Sequence, residues 1–563
     1  MSRVMTEHAI GWHHVLVALG LAVVLIVSGC QMARPIPTVT VSIVYGSEKE
    51  EWLKPLVAEY NQAAHKTASG AVIAVEATPM GSIESVHAII EGKIQPTVWS
   101  PASSVYLPVA NAEWRKRNAA DLVEGTPNAL VLSPVIIGMW EPMARKLGWP
   151  DTPIGWADIA RLAVSEEGWA AYDRPEWGSF KFGHTHPNFS NSGVVAILAE
   201  AYAAAGKTRN LSVDDLKQPS VRTFMEEVES AIIHYGSSTG FFATRMFERG
   251  PSYLSAAVMY ENLVVAQERK RLSGESNQLP VVAIYPKEGT FWTDNPYVIL
   301  NAGWVTDEQR AAALDFEKYL RAESQQRRAM DYGFRPADPA IALGSPLDAQ
   351  HGVNPNEPQT LLEVPSAEVI EAVLALWKEV KKPVDLVLVI DTSGSMAGDK
   401  IASARNSVAQ FIDRLEDRDN LAVISFSDMI ITLSELSPLG PKRDDTRSRV
   451  LGLVEAGDTR LYDVTLRAYR HLLENGNPRH IRAVVLLTDG RDTASDETLE
   501  AVLAAIADKS EEGGRAIKMF TIAFGSDADR SVLQQIAEVT GGRMYEGEPR
   551  TIAEVYAQIA TFF

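Results

Sequence analysis

The segment that most constrains the fold is residues 385–390, which read Asp-Leu-Val-Leu-Val-Ile and carry no polar side chain after the first position. A short apolar run without alternation is typical of a central parallel strand that is covered on both faces. Residues 391–395, Asp-Thr-Ser-Gly-Ser, follow at once, and residues 402–415 have helical spacing. The polar cluster is therefore predicted at the C-terminal end of a strand, where doubly wound α/β sheets hold their binding sites.

The rest of the C-terminal third continues the same alternation of strands and helices. Further strands are predicted at 421–426, 483–488 and 518–524, and further helices at 462–473, 497–507, 530–539 and 552–559. Such alternation predicts a doubly wound, Rossmann-like α/β domain over residues 383–563.

This domain resembles the von Willebrand factor A (VWA) domain, whose metal-ion-dependent adhesion site has the pattern D-x-S-x-S. Asp391, Ser393 and Ser395 match that pattern. By the same resemblance, Thr459 supplies a fourth ligand and Asp489, in Leu-Thr-Asp-Gly, a fifth. The resemblance implies a divalent cation that binds a protein partner, with structural polar residues at a strand end as the alternative.

Hard oxygen donors suit Mg²⁺ or Mn²⁺, and Ca²⁺ is also compatible with them. If the hydroxyls bind directly and the aspartates act through water, the ion stays electron-poor, and an acidic residue of the partner could complete its coordination. Asp458 departs from the Gly-Gly-Thr or Gly-Asn-Thr that the family often has before this threonine. Its extra carboxylate could add affinity for metal or repel an acidic partner.

The middle of the chain alternates strand and helix patterns in the same way. Strands are predicted at 39–45, 72–76, 97–99, 130–139 and 281–285, and helices at 49–62, 193–205 and 308–320. This order predicts an open, largely parallel sheet.

Residues 39–345 resemble the extracellular solute-binding proteins of bacterial ABC transporters. The stretches that carry this likeness include Trp-Ser-Pro at 99–101, the segment 181–193, Met-Tyr-Glu-Asn at 259–262, and the segments 285–290 and 333–336. The resemblance implies a periplasmic-binding-protein-like domain of two lobes, with a small-molecule ligand between them.

Hydroxyl groups at helix N-termini line the ligand cleft in such folds. Ser190 and Ser192 precede an apolar helix, and Ser47 and Ser100 follow strands, so all four are candidate cleft residues. The alternative is that Ser192 only caps its helix.

Two histidines of the same region, His184 and His186, alternate along a predicted strand and could bind a metal. No third ligand of convincing spacing follows them, so structural histidines are the favoured interpretation.

Residues 346–382 join the two domains. The first part of this segment is rich in proline and glycine, which is loop-like, and residues 366–381 look helical. We expect the apolar face of this helix to pack on another part of the chain.

The N-terminus predicts export and lipidation. Residues 15–27 form an apolar run that is shorter than the roughly 20 residues that a membrane-spanning helix needs, which is typical of a signal peptide. The run ends at Val-Ser-Gly-Cys, which resembles the lipobox of bacterial lipoproteins. Residues 1–30 are therefore predicted as a lipoprotein signal, Cys30 as the lipidated residue, and residues 31–38 as a tether. The alternative is an uncleaved N-terminal anchor with an incidental cysteine, which would leave the rest of the chain in the same compartment. The mature protein is expected to be membrane-anchored outside the cytoplasm.

Composition excludes some functions. The formal net charge of −19 lacks the excess of Lys and Arg that nucleic-acid binding needs. No nucleophile or zinc-protease motif is present and Cys30 is the only cysteine, so no enzymatic role is expected. Two functions compete: capture of a protein partner through the VWA metal site, or solute binding for an ABC importer with the VWA domain as an accessory docking module. A third possibility, a metal-assembly role like that of similar A domains, is disfavoured by the export signal.

Replacing Cys30 by alanine is expected to abolish lipidation and to release the protein from membranes, because two or more acyl chains supply the lasting attachment. Metabolic labelling with a radioactive fatty acid and membrane fractionation test this. Label that persists in Cys30→Ala would contradict the assignment.

Overall fold

The computed structural model describes residues 37–507 and 517–563. The predicted signal peptide, Cys30 and residues 31–36 of the tether lie outside the described residues. Within the described ranges, no helix combines the length and the apolar character that crossing a membrane requires.

The N-terminal domain contains strands and short helices up to residue 336. Its strands are β1 (Thr38–Tyr45), β2 (Val72–Pro79), β3 (Val98–Ser100), β4 (Asn128–Ala129), β5 (Val131–Trp140), β6 (Phe182–Gly183), β7 (Ala256–Tyr260), β8 (Val281–Ile284), β9 (Trp292–Thr293), β10 (Pro296–Ile299) and β11 (Arg335–Pro336). Its helices are α1 (Glu50–Gln62), α2 (Ser82–Ile90), α3 (Leu107–Arg115), α4 (Glu141–Lys146), α5 (Trp156–Ala163), α6 (Asn191–Ala205), α7 (Val213–Leu216), α8 (Pro219–Glu229), α9 (Thr239–Arg249), α10 (Glu261–Leu272), α11 (Asp307–Leu320) and α12 (Glu323–Met330).

These strands form two sheets, one in each lobe. The first has the order β2-β1-β3-β10-β4, in which β1 is parallel to β2 and β3 and β10 is antiparallel to its neighbours. In the second, β5 pairs antiparallel with β7, β8, β9 and β11, and β6 is parallel to β7. The two-lobed architecture is confirmed.

The expectation of one largely parallel sheet was wrong. The predicted strands exist, but β7 and β10 return from distant parts of the chain and run antiparallel to β5 and β3. Their short apolar segments lack the alternation that identifies a strand, and strand direction depends on the tertiary path of the chain.

The connecting segment and the C-terminal domain contain the remaining elements. The connecting segment contains helix α13 (Ala367–Val380). The helices of the C-terminal domain are α14 (Asp399–Ile412), α15 (Arg443–Leu451), α16 (Leu461–Asn475), α17 (Leu499–Ile506), α18 (Arg530–Val539) and α19 (Ile552–Ala560). Its strands are β12 (Val384–Asp391), β13 (Asn420–Phe426), β14 (Ile430–Pro438), β15 (Ile481–Thr488), β16 (Lys518–Phe524) and β17 (Arg543–Gly547).

The C-terminal sheet has the order β14-β13-β12-β15-β16-β17, parallel except for the edge strand β14. Every residue of β12 is buried, as predicted for a central strand. Successive side chains of this strand point to opposite faces. Val387 and Val389 join one apolar cluster of the domain, and Leu386, Leu388 and Ile390 join the cluster that also contains helix α13 and the second lobe.

Helix α13 joins the two domains through direct packing. Its Trp377 is 1% exposed, and the indole Nε1–H donates to Glu229 Oε1 of helix α8 at 2.9 Å. The chain's C-terminus adds a second contact, because the Tyr235 N–H donates to the Phe562 carbonyl at 3.3 Å. The helix predicted at 366–381 is therefore present, and it packs on the solute-binding lobe.

Replacing Trp377 by alanine is expected to lower the free energy of unfolding by about 3–5 kcal/mol, because a large buried side chain is lost from the domain junction. Urea denaturation followed by circular dichroism measures this change. The exposed neighbour Lys378 is the control, and Lys378→Ala should stay within about 0.5 kcal/mol of wild type. Equal stability of both variants would contradict the structural role of this contact.

Candidate metal centre and interlobe cleft

Adjacent parallel strands bring the two predicted aspartate ligands to one edge of the sheet. Strands β12 and β15 are in register through Ile390 and Leu487, so Asp391 and Asp489 both follow at the carboxyl edge. Both aspartates are completely buried.

Asp391 is held by two hydrogen bonds. Its Oδ1 accepts from the Ser393 backbone N–H at 2.7 Å, and its Oδ2 accepts from the Thr488 hydroxyl at 2.5 Å. Burial raises the pKa of the Asp391 carboxyl, the nearby Asp489 charge adds to that rise, and the hydrogen bonds oppose it. A positive charge beside these two carboxylates would favour their ionised forms.

The predicted hydroxyl ligands lie at the same place. Ser393 Oγ is 3.0 Å from Ser395 Oγ, and the Ser395 hydroxyl donates to Asp489 Oδ1 at 2.7 Å. A Cβ added to Gly490 would lie 3.5 Å from Thr459 Oγ1 and 3.6 Å from Ser395 Oγ. The structure thus brings all five predicted ligands together.

The loop that contains Thr459 approaches the loop of residues 391–395 at Gly457. Gly457 has a φ of +81°, which favours glycine, and a Cβ there would lie 2.2 Å from Asp428 Oδ1. Its carbonyl accepts the Gly394 N–H at 3.0 Å, which fixes the two loops side by side. Asp458 is exposed beside this contact.

These donors fit a hard divalent cation. Carboxylate and hydroxyl oxygens are the groups that Mg²⁺ and Mn²⁺ prefer. Ser395 is exposed, whereas Asp391, Ser393, Thr459 and Asp489 are buried. The cluster is therefore open to solvent on one side, where a further ligand could approach.

One charged residue of this site was missed from the sequence. The Lys400 ammonium donates to Asp489 Oδ2 at 2.5 Å and lies 3.8 Å from Asp527 Oδ2. Lys400 is in the first turn of helix α14, where the helix dipole disfavours a cation. The sequence signal for this contact was a lysine in the first turn of a helix, directly after the aspartate-serine loop. Such a lysine needs a nearby carboxylate to offset the unfavourable helix dipole.

Three of the four candidate cleft serines bond to neighbouring hydroxyls. Ser47 Oγ donates to Ser238 Oγ at 3.1 Å, and Ser190 Oγ is 3.2 Å from Thr239 Oγ1. Ser192 Oγ is 2.6 Å from Thr185 Oγ1.

The helix-cap alternative for Ser192 was wrong. Ser190 occupies the N-cap of α6, and its side chain makes no capping hydrogen bond. Ser100 Oγ is buried and has no hydrogen-bond partner among the described residues.

The second lobe also covers a helix N-terminus of the first lobe. The Phe189 carbonyl accepts from the N–H groups of Ile83 and Glu84 at 3.2 Å each. Gly81 permits this approach, because a Cβ there would lie 2.5 Å from that oxygen. A cavity of about 640 Å³ remains beside the junction; its lining includes Ser47, Trp52, Lys54, Phe241, Phe247 and Lys270.

Comparison with protein families agrees with this architecture. The model of the bacterial extracellular solute-binding proteins matches residues 41–335, and that of the von Willebrand factor type A domain matches residues 385–556. The chain belongs to the bacterial extracellular solute-binding protein family and has a VWA domain after the solute-binding domain. Domains of both kinds are typically non-enzymatic. The first suggests a small-molecule ligand, and the second suggests a protein ligand and commonly binds a divalent metal.

Relatives include one that spans both domains. An uncharacterized protein of Mycobacterium tuberculosis is 25% identical over 547 residues, covering 89% of this chain and 73% of the relative. An inter-alpha-trypsin inhibitor heavy chain of Bos taurus is 30% identical over 191 residues, covering 32% of this chain and 20% of its own. A periplasmic thiamin binding protein superposes with a TM-score of 0.43 at 10% identity, covering 61% of this chain and 96% of its own.

Replacing Lys400 by methionine is expected to tighten Mg²⁺ binding at least about fivefold. The change removes a competing positive charge, and the Coulomb energy of a close charge pair is ~1 kcal/mol even in water-like surroundings. Calorimetric titration measures the affinity. Lys400→Arg keeps the charge and should bind Mg²⁺ as wild type does. Weaker binding by Lys400→Met would show that the lysine supports the site instead of competing with the ion.

Proposed function

We propose that this protein is a lipid-anchored, extracytoplasmic binding protein that captures a protein partner through a divalent cation in its VWA domain. The observation that carries the proposal is the convergence of Asp391, Ser393, Ser395, Thr459 and Asp489 at one sheet edge that opens to solvent at Ser395. The ion would be Mg²⁺ or Mn²⁺.

The chemistry of this cluster favours an acidic residue of the partner as the remaining ligand. Three of the five protein ligands are neutral hydroxyls, and the Lys400 ammonium offsets part of the Asp489 charge. A dication held by so few full negative charges retains affinity for one more carboxylate. Recognition of this kind requires no general base, which agrees with a binding role.

The anchor and the location rest on the N-terminal sequence. The apolar run 15–27 and the following Val-Ser-Gly-Cys support export and lipidation at Cys30. An acidic chain of net charge −19 is repelled by anionic lipid, so a covalent anchor is the favoured means of attachment.

A second candidate function is solute binding for an ABC importer, with the VWA domain as a docking module. The interlobe cavity of about 640 Å³ favours it, because ligand sites of small molecules have this size. Against it, Ser190 and Ser192 already bond to neighbouring hydroxyls, and the Phe189 carbonyl already accepts at the N-terminus of α2.

Replacing Asp391 by alanine in the full-length protein is expected to abolish binding of Mg²⁺ or Mn²⁺ at this site. Wild type should bind one ion by calorimetry and gain about 2.7 kcal/mol of stability when the metal is at one hundred times its dissociation constant. Immobilised wild type should capture a cell-envelope protein that is released by a chelator. Asp391→Ala should capture none.

The matched control is Asp399→Ala, which removes one exposed carboxylate eight positions along the chain and should keep both metal and partner binding. If neither wild type nor control binds or gains stability with metal, the proposal fails. The function then shifts to the interlobe cavity.

A further inference from the structure

A second group of metal-ligating side chains lies in the solute-binding domain, far along the chain from the VWA ligands. His184 follows strand β6, Glu200 lies in helix α6, and Glu229 ends helix α8. One ligand atom from each lies within 4.8 Å of the others. All three side chains are completely buried.

The imidazole is oriented as a metal ligand would be. His184 Nδ1 is 2.8 Å from the Thr185 carbonyl oxygen, which only accepts, so Nδ1 carries the hydrogen. The Nε2 lone pair then points at Glu229 Oε1, 3.0 Å away. His184 Nε2 and Glu229 Oε1 would then both be acceptors and would repel each other at this distance. A proton or a metal cation between the two atoms removes that repulsion. Metal-bound histidines commonly donate their other N–H to a backbone carbonyl in this way.

Glu229 is held in place from both sides. The Trp377 indole donates to its Oε1 at 2.9 Å, and the Tyr235 hydroxyl donates to its Oε2 at 2.6 Å. Such outer hydrogen bonds orient a ligating carboxylate.

Glu200 is the decisive residue. Both of its carboxylate oxygens are buried, and neither has a hydrogen-bond partner among the described residues. An isolated buried carboxylate is very costly, and a protonated one would leave its O–H without an acceptor. Among the ion pairs observed within the described ranges, none joins a lysine or arginine to Glu200 or Glu229. The buried Lys381 and the partly buried Lys382 ammonium groups act on Glu229 only from beyond ion-pair distance. A dication would balance the two carboxylates and satisfy the free oxygens at once.

We propose that His184, Glu200 and Glu229 bind one divalent transition-metal ion, for which Zn²⁺ is the best fit. One imidazole nitrogen and two carboxylate oxygens form a ligand set that zinc accepts, with ligand distances of about 2.0–2.2 Å. Tetrahedral geometry then separates the ligand atoms by about 3.3 Å and leaves the fourth position to a water molecule. The His184 and Glu229 atoms are already close to that spacing, so Glu200 makes most of the movement.

This ion is structural and acts at the domain junction. It ties helix α6 to helix α8, and through the Trp377 hydrogen bond it reaches the connecting helix α13. On its other side, Thr185 bonds to Ser192 at the start of α6. The site thus lies between the interlobe region and the VWA domain, and it is independent of the proposed adhesion function.

Metal content per chain tests the proposal. The full-length protein carrying Asp391→Ala, which removes the VWA ion, is produced in zinc-supplemented cells and purified without chelator. Mass spectrometry of its metals should find about one transition-metal ion per chain. Adding Glu200→Gln, which keeps the shape and removes the charge, should lower this content by more than 90%. The affinity loss should exceed about 100-fold, because losing an outer-shell partner alone costs 10- to 100-fold.

Adding Glu317→Gln instead is the matched control. Glu317 is a buried glutamate of the other lobe, 7% exposed, and its substitution should leave the metal content unchanged. Equal metal content with and without Glu200→Gln, or none in the Asp391→Ala protein, would overturn the proposal. Either result leaves the Mg²⁺ titration of wild type unaffected, so the two sites are judged separately.

Zinc X-ray absorption of the Asp391→Ala protein gives a second test that does not depend on the folding of Glu200→Gln. A shell of nitrogen and oxygen ligands at about 2.0–2.1 Å without sulfur is expected. A sulfur ligand would overturn the assignment, because His184, Glu200 and Glu229 offer only nitrogen and oxygen atoms.

Discussion

The burial of two aspartates side by side, Asp391 and Asp489, is the constraint on which the C-terminal site depends. Parallel pairing of β12 with β15 brings them together, and complete burial removes the water that would otherwise solvate their charge. The Ser393 N–H, the Thr488 and Ser395 hydroxyls and the Lys400 ammonium supply compensating donors. A fold that keeps such a pair at a sheet edge is suited to hold a cation there.

The same electrostatic problem occurs at the domain junction, with a different ligand set. Glu200 and Glu229 are buried together, but only Glu229 has hydrogen-bond donors. The junction is also where Trp377 packs, so the connecting helix shares one apolar cluster with the second lobe and one face of the VWA sheet. Trp377 therefore contributes both to the packing of the domain junction and to the hydrogen bonding that offsets the Glu229 charge.

The central strands β12, β13, β15 and β16 of the VWA domain could be predicted from the sequence, because they are continuous apolar runs. The edge strands β14 and β17 and helix α15 were not predicted, and β14 has no fully buried residue that would give it an apolar pattern. The candidate metal ligands were found through the resemblance to the VWA metal site. Lys400 was not, since its role depends on a carboxylate that lies in another loop. In the solute-binding domain β1, β2, β3, β5 and β8 were predicted, but β7 and β10 and their antiparallel course were not. Short apolar segments carry no information about their direction or partner.

The sequence by itself determined the two domain classes, the candidate ligands at the end of β12 and the helical character of the connecting segment. These follow from local periodicity and from motifs whose residues are close along the chain. Only the tertiary structure decided that three of the candidate cleft serines bond to neighbouring hydroxyls and that Phe189 covers the N-terminus of α2. It also decided that His184 meets Glu200 and Glu229, because these ligands come from separate elements that only packing brings within 4.8 Å.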